Sequence, residues 1–310
     1  MSRNIAVLMG GWSTERDVSL TSGKAVADAL RGLGHNVREI DPPRDAAALV
    51  AALSSPRPDV VFNALYGTWG EDGRVQAILD LMGIPYTHSG VMASALGMHK
   101  QLCKKALSAV GMPIAEGRIA TRKEILAGKV MAPPYVLKPN EGGSSVGVHL
   151  ILGRPDDPKL EEINLDENML VERYIPGREL TVAVMGKAGI DSRALTVTEI
   201  CPKSGFYDYT NKYTDGNADH IVPAGLPPAV FTEVLRLALL AHDTLGCAGM
   251  SRSDFRYDDS IGHTRGIFFL EINTQPGMTP LSLMPEQAAY LGMSFAELVN
   301  WLVENAACAS

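Results

Sequence analysis

Arg252-Ser-Asp-Phe-Arg-Tyr257 and Phe268-Phe-Leu-Glu-Ile-Asn273 are two runs of strand-forming residues that lie on either side of Asp258-Asp-Ser-Ile-Gly262. The middle segment is rich in the residues that form turns. The pattern therefore predicts a hairpin, or at least two neighbouring strands, over residues 252–273.

Polar and apolar positions alternate along both predicted strands. Side chains two residues apart point to the same face of a strand. One face therefore carries the polar set Arg252, Asp254, Glu271 and Asn273. The positions between them, which suit a packed opposite face, are Ser253, Phe255, Leu270 and Ile272.

The polar set has the chemistry of a magnesium site. Carboxylate and amide oxygens are hard ligands, and magnesium completes its coordination with water and substrate phosphates. Arg252 beside them suits a developing negative charge. The alternative is a solvated sheet face with a salt bridge. Glu271 favours the metal, because a carboxylate buried without a partner in an apolar strand costs several kcal/mol.

Length, charge and cysteine spacing limit the classes of function. The 310 residues predict two or three domains, and 46% of them are apolar, enough for substantial cores. The formal net charge of −7 argues against nucleic acid as the main partner. Neither a bilayer-length apolar run nor a signal-peptide pattern is present, so we expect no membrane insertion and a cytoplasmic location. The four cysteines show no metal or disulfide spacing.

Residues 1–97 alternate predicted strands and helices, which is typical of an open parallel sheet that binds ligands at the carboxyl ends of its strands. The loops at those ends are residues 10–17 and 66–73. Neither contains Gly-x-Gly-x-x-Gly, which disfavours a nicotinamide-dependent oxidoreductase. Glu15 in the first loop holds a substrate ammonium or is an acid at a helix start, favoured by the helix dipole. Glu71 and Asp72 in the second loop are likewise charges near a helix start.

A glycine- and serine-rich loop follows the predicted strand 135–138. Lys138 ends that strand, and Ser144 and Ser145 lie among the glycines of residues 139–148. Glycines allow close backbone approach, and their amides with two hydroxyls can surround phosphate oxygens. The alternative is an ordinary hairpin turn. A lysine in an apolar strand directly before the loop favours phosphate binding.

Two further stretches have features of a nucleotide site. Glu172 ends a predicted strand, and Tyr174 and Ile175 follow it, an arrangement that suits the edge and face of a nucleobase or, alternatively, simple core packing. Residues 203–217 are polar, turn-rich and aromatic, which is typical of a lid rather than of disorder. A helix is predicted over residues 228–245, and Ser282-Leu283 opens a last helical region.

The chain resembles the D-alanine–D-alanine ligases of the ATP-grasp superfamily from Ile5 to about Leu302. Eight motifs occur in the order in which that family carries them: Gly10-Gly-x-Ser-x-Glu15-Arg16, Gly70-Glu-Asp-Gly73, Lys138-Pro, Gly143-Ser-Ser-Val-Gly147, Tyr207-Asp-Tyr, Lys212-Tyr213, Arg252-x-Asp254 and Glu271-x-Asn273-Thr-x-Pro-Gly-Met278-Thr. The resemblance implies a mixed α/β and α+β fold, in which an open parallel-sheet domain (1–97) precedes the central (98–180) and C-terminal (181–310) domains of an ATP-grasp fold.

The resemblance also implies the roles of individual residues. The ATP-binding residues are Lys100, Lys138, Ser145, Glu172, Tyr174, Ile175, Glu179 and Lys212. Two magnesium (or manganese) ions are held by Asp254, Glu271 and Asn273. Glu15 meets the ammonium of the first D-alanine, and Ser282 and Leu283 meet the carboxylate of the second. Ser144 and Tyr213 link Glu15 to the lid, and Arg252 and Gly277 stabilise the oxyanion.

The expected reaction joins two D-alanines through an acylphosphate at the expense of ATP, in a homodimer. Alternatives are a ligase with D-lactate or D-serine as second substrate, which Tyr213 disfavours, and a nucleotide-binding module without catalysis. The chain departs from the family pattern at Tyr66, where relatives commonly have His, and at Glu141-Gly142 in the phosphate loop. The first departure leaves the acid–base partner near the first substrate undetermined.

Overall fold

The computed structural model describes residues 2–143, 146–203, 218–279 and 282–308. These residues form three β-sheets, one parallel and two antiparallel. The mixed α/β and α+β fold predicted from the sequence is confirmed.

The first sheet is parallel and has the strand order β2-β1-β3. Its strands are β1 (Asn4–Leu8), β2 (Asn36–Ile40) and β3 (Val60–Asn63). Four helices accompany it: α1 (Arg16–Gly32), α2 (Ala46–Ser54), α3 (Arg74–Met82) and α4 (Val91–Met98). β3 is buried along its whole length, as expected for a strand that is covered on both faces. The carboxyl ends of β1 and β3 therefore lead into the two loops singled out from the sequence.

The second sheet is antiparallel, with the order β4-β7-β5-β6. Its strands are β4 (Gly117–Thr121), β5 (Tyr135–Pro139), β6 (His149–Ile151) and β7 (Asn168–Arg173). Helix α5 (Lys100–Ser108) precedes it, and the short helix α6 (Arg122–Leu126) starts at a capping box formed by Thr121 and Glu124.

The third sheet is antiparallel, with the order β10-β9-β8-β11-β12. Its strands are β8 (Arg178–Met185), β9 (Arg193–Pro202), β10 (Ala218–Ile221), β11 (Met250–Tyr257) and β12 (Ile267–Asn273). β11 and β12 are the predicted strand pair, and two short 3-10 turns connect them. The domain boundary expected after residue 180 falls inside β8.

Helices cover both faces of the third sheet. Helix α7 (Pro228–Leu245) has the predicted bounds, with proline in its first turn and Gly246 at its end, and it buries apolar residues against β8, β11 and β12. Helices α8 (Leu283–Tyr290) and α9 (Phe295–Glu304) pack on the other side together with α1 and the first sheet. The first and third sheets therefore share a core.

The pairing of β11 with β12 contains a bulge. Asp254 lies opposite Glu271, but Phe255 lies opposite Phe269, so Leu270 is an extra residue. The expectation that Leu270 packs on the face away from the polar set was wrong. The extra residue shifts the alternation, and Leu270 lines the same cavity as Glu271 and Asp254.

Buried amides connect the first sheet to the third. Asn63 at the end of β3 donates to the side chain of Gln275 at 2.8 Å and to the carbonyl of Gly70 at 2.9 Å. Gln275, just beyond β12, donates in turn to the carbonyl of Leu65 at 2.6 Å. Both amides are fully buried, so these bonds fix the loop after β3 against the segment after β12. Within the described ranges, no helix has the length and apolarity to cross a bilayer.

We predict that Asn63→Ala lowers the free energy of unfolding by about 3 kcal/mol, because it leaves buried partners at Gly70, Gln275 and Leu65 without their hydrogen bonds. Urea denaturation gives the change. Asn36→Ala, the same substitution at an exposed position of β2, is the control and should cost less than about 1 kcal/mol. Equal losses in the two variants would contradict the proposed connection.

Candidate active site

Two cavities adjoin at the junction of the three sheets. The first lies between the loops of the first sheet and the ends of β11 and β12. The second lies in the cleft between the two antiparallel sheets. Both are lined by Lys100, Gly142, Gly143 and Glu271. A group bound in one cavity therefore meets a group bound in the other at these four residues.

A buried carboxylate between two lysines dominates the second cavity. Lys138 Nζ lies 2.6 Å from Glu172 Oε2, and Lys104 Nζ donates to Glu172 Oε1. Burial disfavours the charge of Glu172, but the two ammonium groups outweigh it and hold the pKa of that carboxyl below its ordinary value. Two cations thus share one anion, and one of them, Lys138, is the lysine predicted to bind phosphate.

The pKa values of the two lysines shift in opposite directions. Burial, followed by repulsion from Lys138, lowers the pKa of Lys104 to about 8. Burial also opposes the charge of Lys138, yet attraction by Glu172 and Glu271 raises its pKa. Lys104 was missed in the sequence analysis. It lies one helical turn after Lys100 on the buried face of α5, and this spacing is the signal that could have found it.

Arg256 orders the far end of the second cavity. Its guanidinium donates to the carbonyls of Ile175 at 3.1 Å and Gly177 at 2.7 Å, and it lies 3.4 Å from Glu179. It also sits over the ring of Tyr174, 5.8 Å from its centre. Arg256 thus contacts three of the four predicted base and ribose residues, Tyr174, Ile175 and Glu179. Arg256 itself was missed, although it lies two residues after Asp254 on the same strand.

The polar set of β11 and β12 gathers as predicted, on one face of the sheet. Asp254 is opposite Glu271, and Arg252 is opposite Asn273. Arg252 grips both oxygens of Asp254, at 3.0 Å and 2.9 Å, and the Thr181 hydroxyl donates to the same carboxylate at 2.6 Å. Glu271 lies 3.6 Å from the ammonium of Lys100.

These donors fit a hard divalent cation. Asp254 and Glu271, on directly opposed strand positions, line the cavity that holds Lys138, and Asn273 lines the adjoining first cavity. The amide of Asn273 is the third oxygen donor. In the described part of the chain, no cluster of three or more His, Cys, Asp or Glu side chains is suited to a metal. An acid pair with an amide suits magnesium, which keeps ligand positions for water and phosphate.

Glu15 lies in the wall of the first cavity, directly before α1. A Cβ added to Gly67 or to Gly143 would come within 3.2 Å of its Oε1 atom. Gly67 also has a φ of +72°, which favours glycine. Glycines from two loops therefore leave room around this buried carboxylate.

Glu71 is a wall residue of the first cavity and not simply a charge near a helix start. It accepts the Gly67 N–H at 2.7 Å. Burial, followed by repulsion from Glu15, raises the pKa of Glu71 well above its ordinary value. The helix-start role belongs to Asp72, which accepts the Trp69 and Arg74 N–H groups at 2.8 Å and 3.2 Å. Sequence alone gave both acids the same role.

The segment after β12 closes the first cavity. Gly277, Ser282 and Leu283 line it. The Ser282 hydroxyl accepts the Thr279 N–H at 2.9 Å, and a Cβ on Gly277 would lie 2.9 Å from that hydroxyl oxygen. Glycine at 277 therefore leaves the space that brings the two residues together. The predicted residues Ser144, Ser145, Lys212 and Tyr213, and the predicted lid beyond Lys203, lie outside the described residues.

Comparisons with known proteins agree across the chain. Family models described as "D-ala D-ala ligase N-terminus" and "D-ala D-ala ligase C-terminus" match residues 45–89 and 107–304. The chain is 50% identical to a D-alanine–D-alanine ligase of Parvibaculum lavamentivorans, over 99% of this chain and 98% of the relative. It is 51% identical to that of Rhodospirillum rubrum, over 99% of each.

Two solved structures have a similar fold. The ATP complex of the D-alanine–D-alanine ligase from Bacillus anthracis matches with a TM-score of 0.79 at 28% identity, over 98% of this chain and 97% of that one. The VanG D-Ala:D-Ser ligase from Enterococcus faecalis matches with a TM-score of 0.79 at 28% identity, over 98% and 99%.

We predict that Glu172→Gln destabilises the protein by about 3 kcal/mol or more, because it leaves two buried ammonium groups without a counter-charge. Lys104→Met should cost less, since Lys138 still pairs with Glu172. Because the folded pKa of Glu172 is depressed, its contribution is present above the ordinary pKa of about 4.3 and is lost as the pH falls through the folded value.

Chemical denaturation of wild type and both variants from about pH 7 to about pH 3 measures these differences. The gap between wild type and Glu172→Gln should narrow toward the acidic end. A larger loss for Lys104→Met than for Glu172→Gln would contradict the shared-carboxylate arrangement.

Proposed function

This chain belongs to the D-alanine–D-alanine ligase family, and we propose that it joins two D-alanines to D-alanyl-D-alanine at the expense of ATP. The product serves peptidoglycan precursor synthesis. The observation that carries the proposal is the junction of the two cavities at Lys100, Gly142, Gly143 and Glu271. A carboxylate in the first cavity there lies next to the phosphates of a nucleotide in the second.

The second cavity takes ATP. Lys100, Lys138 and the amides of the loop after β5, with Ser145 and Lys212, bind the phosphates. Glu172, Tyr174 and Ile175 bind the base, and Glu179 binds the ribose. The position of Lys138 supports this assignment, because it lines the second cavity together with Gly142 and Gly143 of that loop. The ATP complex of the similar ligase from Bacillus anthracis agrees with the use of ATP.

Asp254, Glu271 and Asn273 hold two magnesium (or manganese) ions in this proposal. When bound, the ions neutralise charge on the transferring phosphoryl group. The cross-strand carboxylate pair and its position in the wall of the nucleotide cavity support the assignment. Arg252 and Lys100 neutralise the same two carboxylates in the described structure.

The first cavity takes both D-alanines. Glu15 binds the ammonium of the first D-alanine. A carboxylate oxygen of this D-alanine attacks the γ-phosphorus of ATP, so that ADP leaves and an acylphosphate forms. The amine of the second D-alanine, whose carboxylate is held by Ser282 and Leu283, then attacks the acyl carbon. Arg252 and the Gly277 N–H stabilise the tetrahedral oxyanion, and phosphate leaves.

Protection of the acylphosphate from water is the role proposed for the lid of residues 203–217. Ser144 and Tyr213 connect that lid to Glu15 in the proposal. Acyl transfer between two bound substrates needs a closed, dry cavity, because water competes with the amine.

D-Alanine is the proposed second substrate rather than D-serine or D-lactate. The D-alanine–D-alanine ligases of Parvibaculum lavamentivorans and Rhodospirillum rubrum are 50% and 51% identical to this chain over nearly its whole length, which supports this choice. We further propose a cytoplasmic homodimer and a division into domains of residues 1–97, 98–180 and 181–310. The shared core of the first and third sheets supports a tight junction between the outer two domains.

A coupled assay of ADP release with D-alanine and, separately, with L-alanine tests the function. We expect ADP release only with D-alanine, in step with D-alanyl-D-alanine. Binding of ATP without release of ADP or phosphate would support a nucleotide-binding module without catalysis. Turnover with D-serine or D-lactate in preference to D-alanine, measured across pH, would assign a different second substrate.

We predict that Glu271→Gln remains folded and loses turnover by about 100-fold or more, because it removes a negative donor facing the transferring phosphoryl group. Steady-state kinetics and a melting curve measure the two properties. Glu162→Gln removes an exposed carboxylate paired with Lys159 and serves as the matched control. Full activity of Glu271→Gln would remove the basis for the metal assignment.

A further inference from the structure

Tyr66 stands where the family commonly has histidine, and it reaches from the first sheet to the segment after β12. Its side chain is buried and lines the first cavity. Its hydroxyl accepts the Met278 N–H at 3.0 Å. Its carbonyl accepts the Ser13 hydroxyl at 2.6 Å, which fixes the backbone from which the ring extends.

The segment that Tyr66 contacts carries Gly277. Chain residues 274–279 lie beyond the end of β12 and before α8, so side chains rather than a strand ladder hold several of their groups. Gln275 is held by Asn63 and by the Leu65 carbonyl, and Thr279 by Ser282. The bond from Met278 to Tyr66 lies between these two attachments. Of these hydrogen bonds, the one from Met278 to Tyr66 is nearest in sequence to Gly277.

Position matters more at this peptide than elsewhere in the segment. A donor that stabilises an oxyanion is effective only where it is already oriented before the reaction. Gly277 lacks a side chain that could fix it by packing, whereas the side chain of Met278 is fully buried in the core. A hydrogen bond to the Met278 N–H therefore fixes the peptide that joins these two residues.

We propose that Tyr66 is a positioning residue. Its hydroxyl holds the peptide on one side of Gly277 while Gln275 is held on the other, so that the Gly277 N–H between them is kept in place for the tetrahedral intermediate. This inference rests on the proposed ligase function. A neutral imidazole also offers one acceptor nitrogen, so histidine at this position can accept the same N–H. The departure from the family pattern then exchanges one acceptor for another.

Two other roles for Tyr66 give different expectations. A side chain that only packs would tolerate Tyr66→Phe without loss. A general acid or base would lose about 10²–10⁴ in rate on that substitution. Positioning through one neutral hydrogen bond lies between them, at about tenfold in the rate of the step that it supports.

The kinetic test compares Tyr66→Phe, Tyr66→His and Tyr86→Phe at pH 8, where an imidazole of ordinary pKa is neutral. Tyr86 is a buried tyrosine of the same unit that lines neither site cavity, so it controls for loss of a buried hydroxyl. Rapid quench measures ADP and D-alanyl-D-alanine in the first turnover. Steady-state kinetics give kcat and the KM for ATP.

For Tyr66→Phe we expect dipeptide formation to fall about tenfold, while first-turnover ADP formation and the KM for ATP stay within about twofold. Tyr66→His should recover most of the loss, and Tyr86→Phe should match wild type. A parallel fall of ADP and dipeptide would overturn the inference, and so would unchanged dipeptide formation. ADP formation should be unaffected because phosphoryl transfer precedes the step at which the oxyanion forms.

Hydrogen–deuterium exchange tests the same inference without turnover. The Met278 amide should exchange about tenfold faster in Tyr66→Phe than in wild type, and unchanged in Tyr86→Phe. Equal exchange in Tyr66→Phe and wild type would overturn the positioning role. Wild type that makes neither ADP nor dipeptide from D-alanine would count against the proposed function alone, since the exchange result still decides the role of Tyr66.

Discussion

The antiparallel pairing of β11 with β12 sets the positions of the four polar groups at the wall where the two cavities adjoin. It places Asp254 opposite Glu271 and Arg252 opposite Asn273 on one face. Two carboxylates so close repel each other, and the structure offsets that repulsion with a cation on each: Arg252 on Asp254 and Lys100 on Glu271. Lys100 comes from α5, before the second sheet, so neutralising the pair also brings the second sheet's entry helix to β12.

Each cavity contains a buried acid, and the electrostatic surroundings of the two acids differ. In the cleft between the antiparallel sheets, two lysines face Glu172 and hold the pKa of that carboxyl below its ordinary value. In the first cavity, Glu15 and Glu71 both face inward, and the raised pKa of Glu71 reduces the negative charge there. The two buried acids therefore have opposite pKa shifts: the lysines lower the pKa of Glu172, whereas burial and Glu15 raise that of Glu71.

The sequence predicted the local features and missed those that depend on distant contacts. Alternation in residues 252–273 was enough to predict the strand pair and its polar face, because strand periodicity is a local property. The bulge at Leu270 was not predictable, since it arises from the pairing between strands rather than from either strand alone. The spacing of Lys104 after Lys100 is a local signal, but its pairing with Glu172 on the second sheet is not. The Asn63–Gln275 bond joins residues 212 positions apart, and no local pattern marks it.

Glu71 and Asp72 show why neighbouring residues of the same type can differ in role. Both follow a glycine in a turn that precedes α3, and helix-start electrostatics favour an acid at either position. The backbone decides between them: Asp72 turns to the N–H groups of Trp69 and Arg74, which leaves Glu71 to turn inward to Gly67 and the first cavity. Asp72 therefore bonds the backbone next to the helix start, and Glu71 lines the first cavity. Roles are divided in a similar way between Asn63, at the end of β3, and Tyr66 in the loop that follows. Asn63 reaches Gln275 and attaches the first sheet to the segment after β12, whereas Tyr66 reaches Met278 and aligns the peptide next to Gly277.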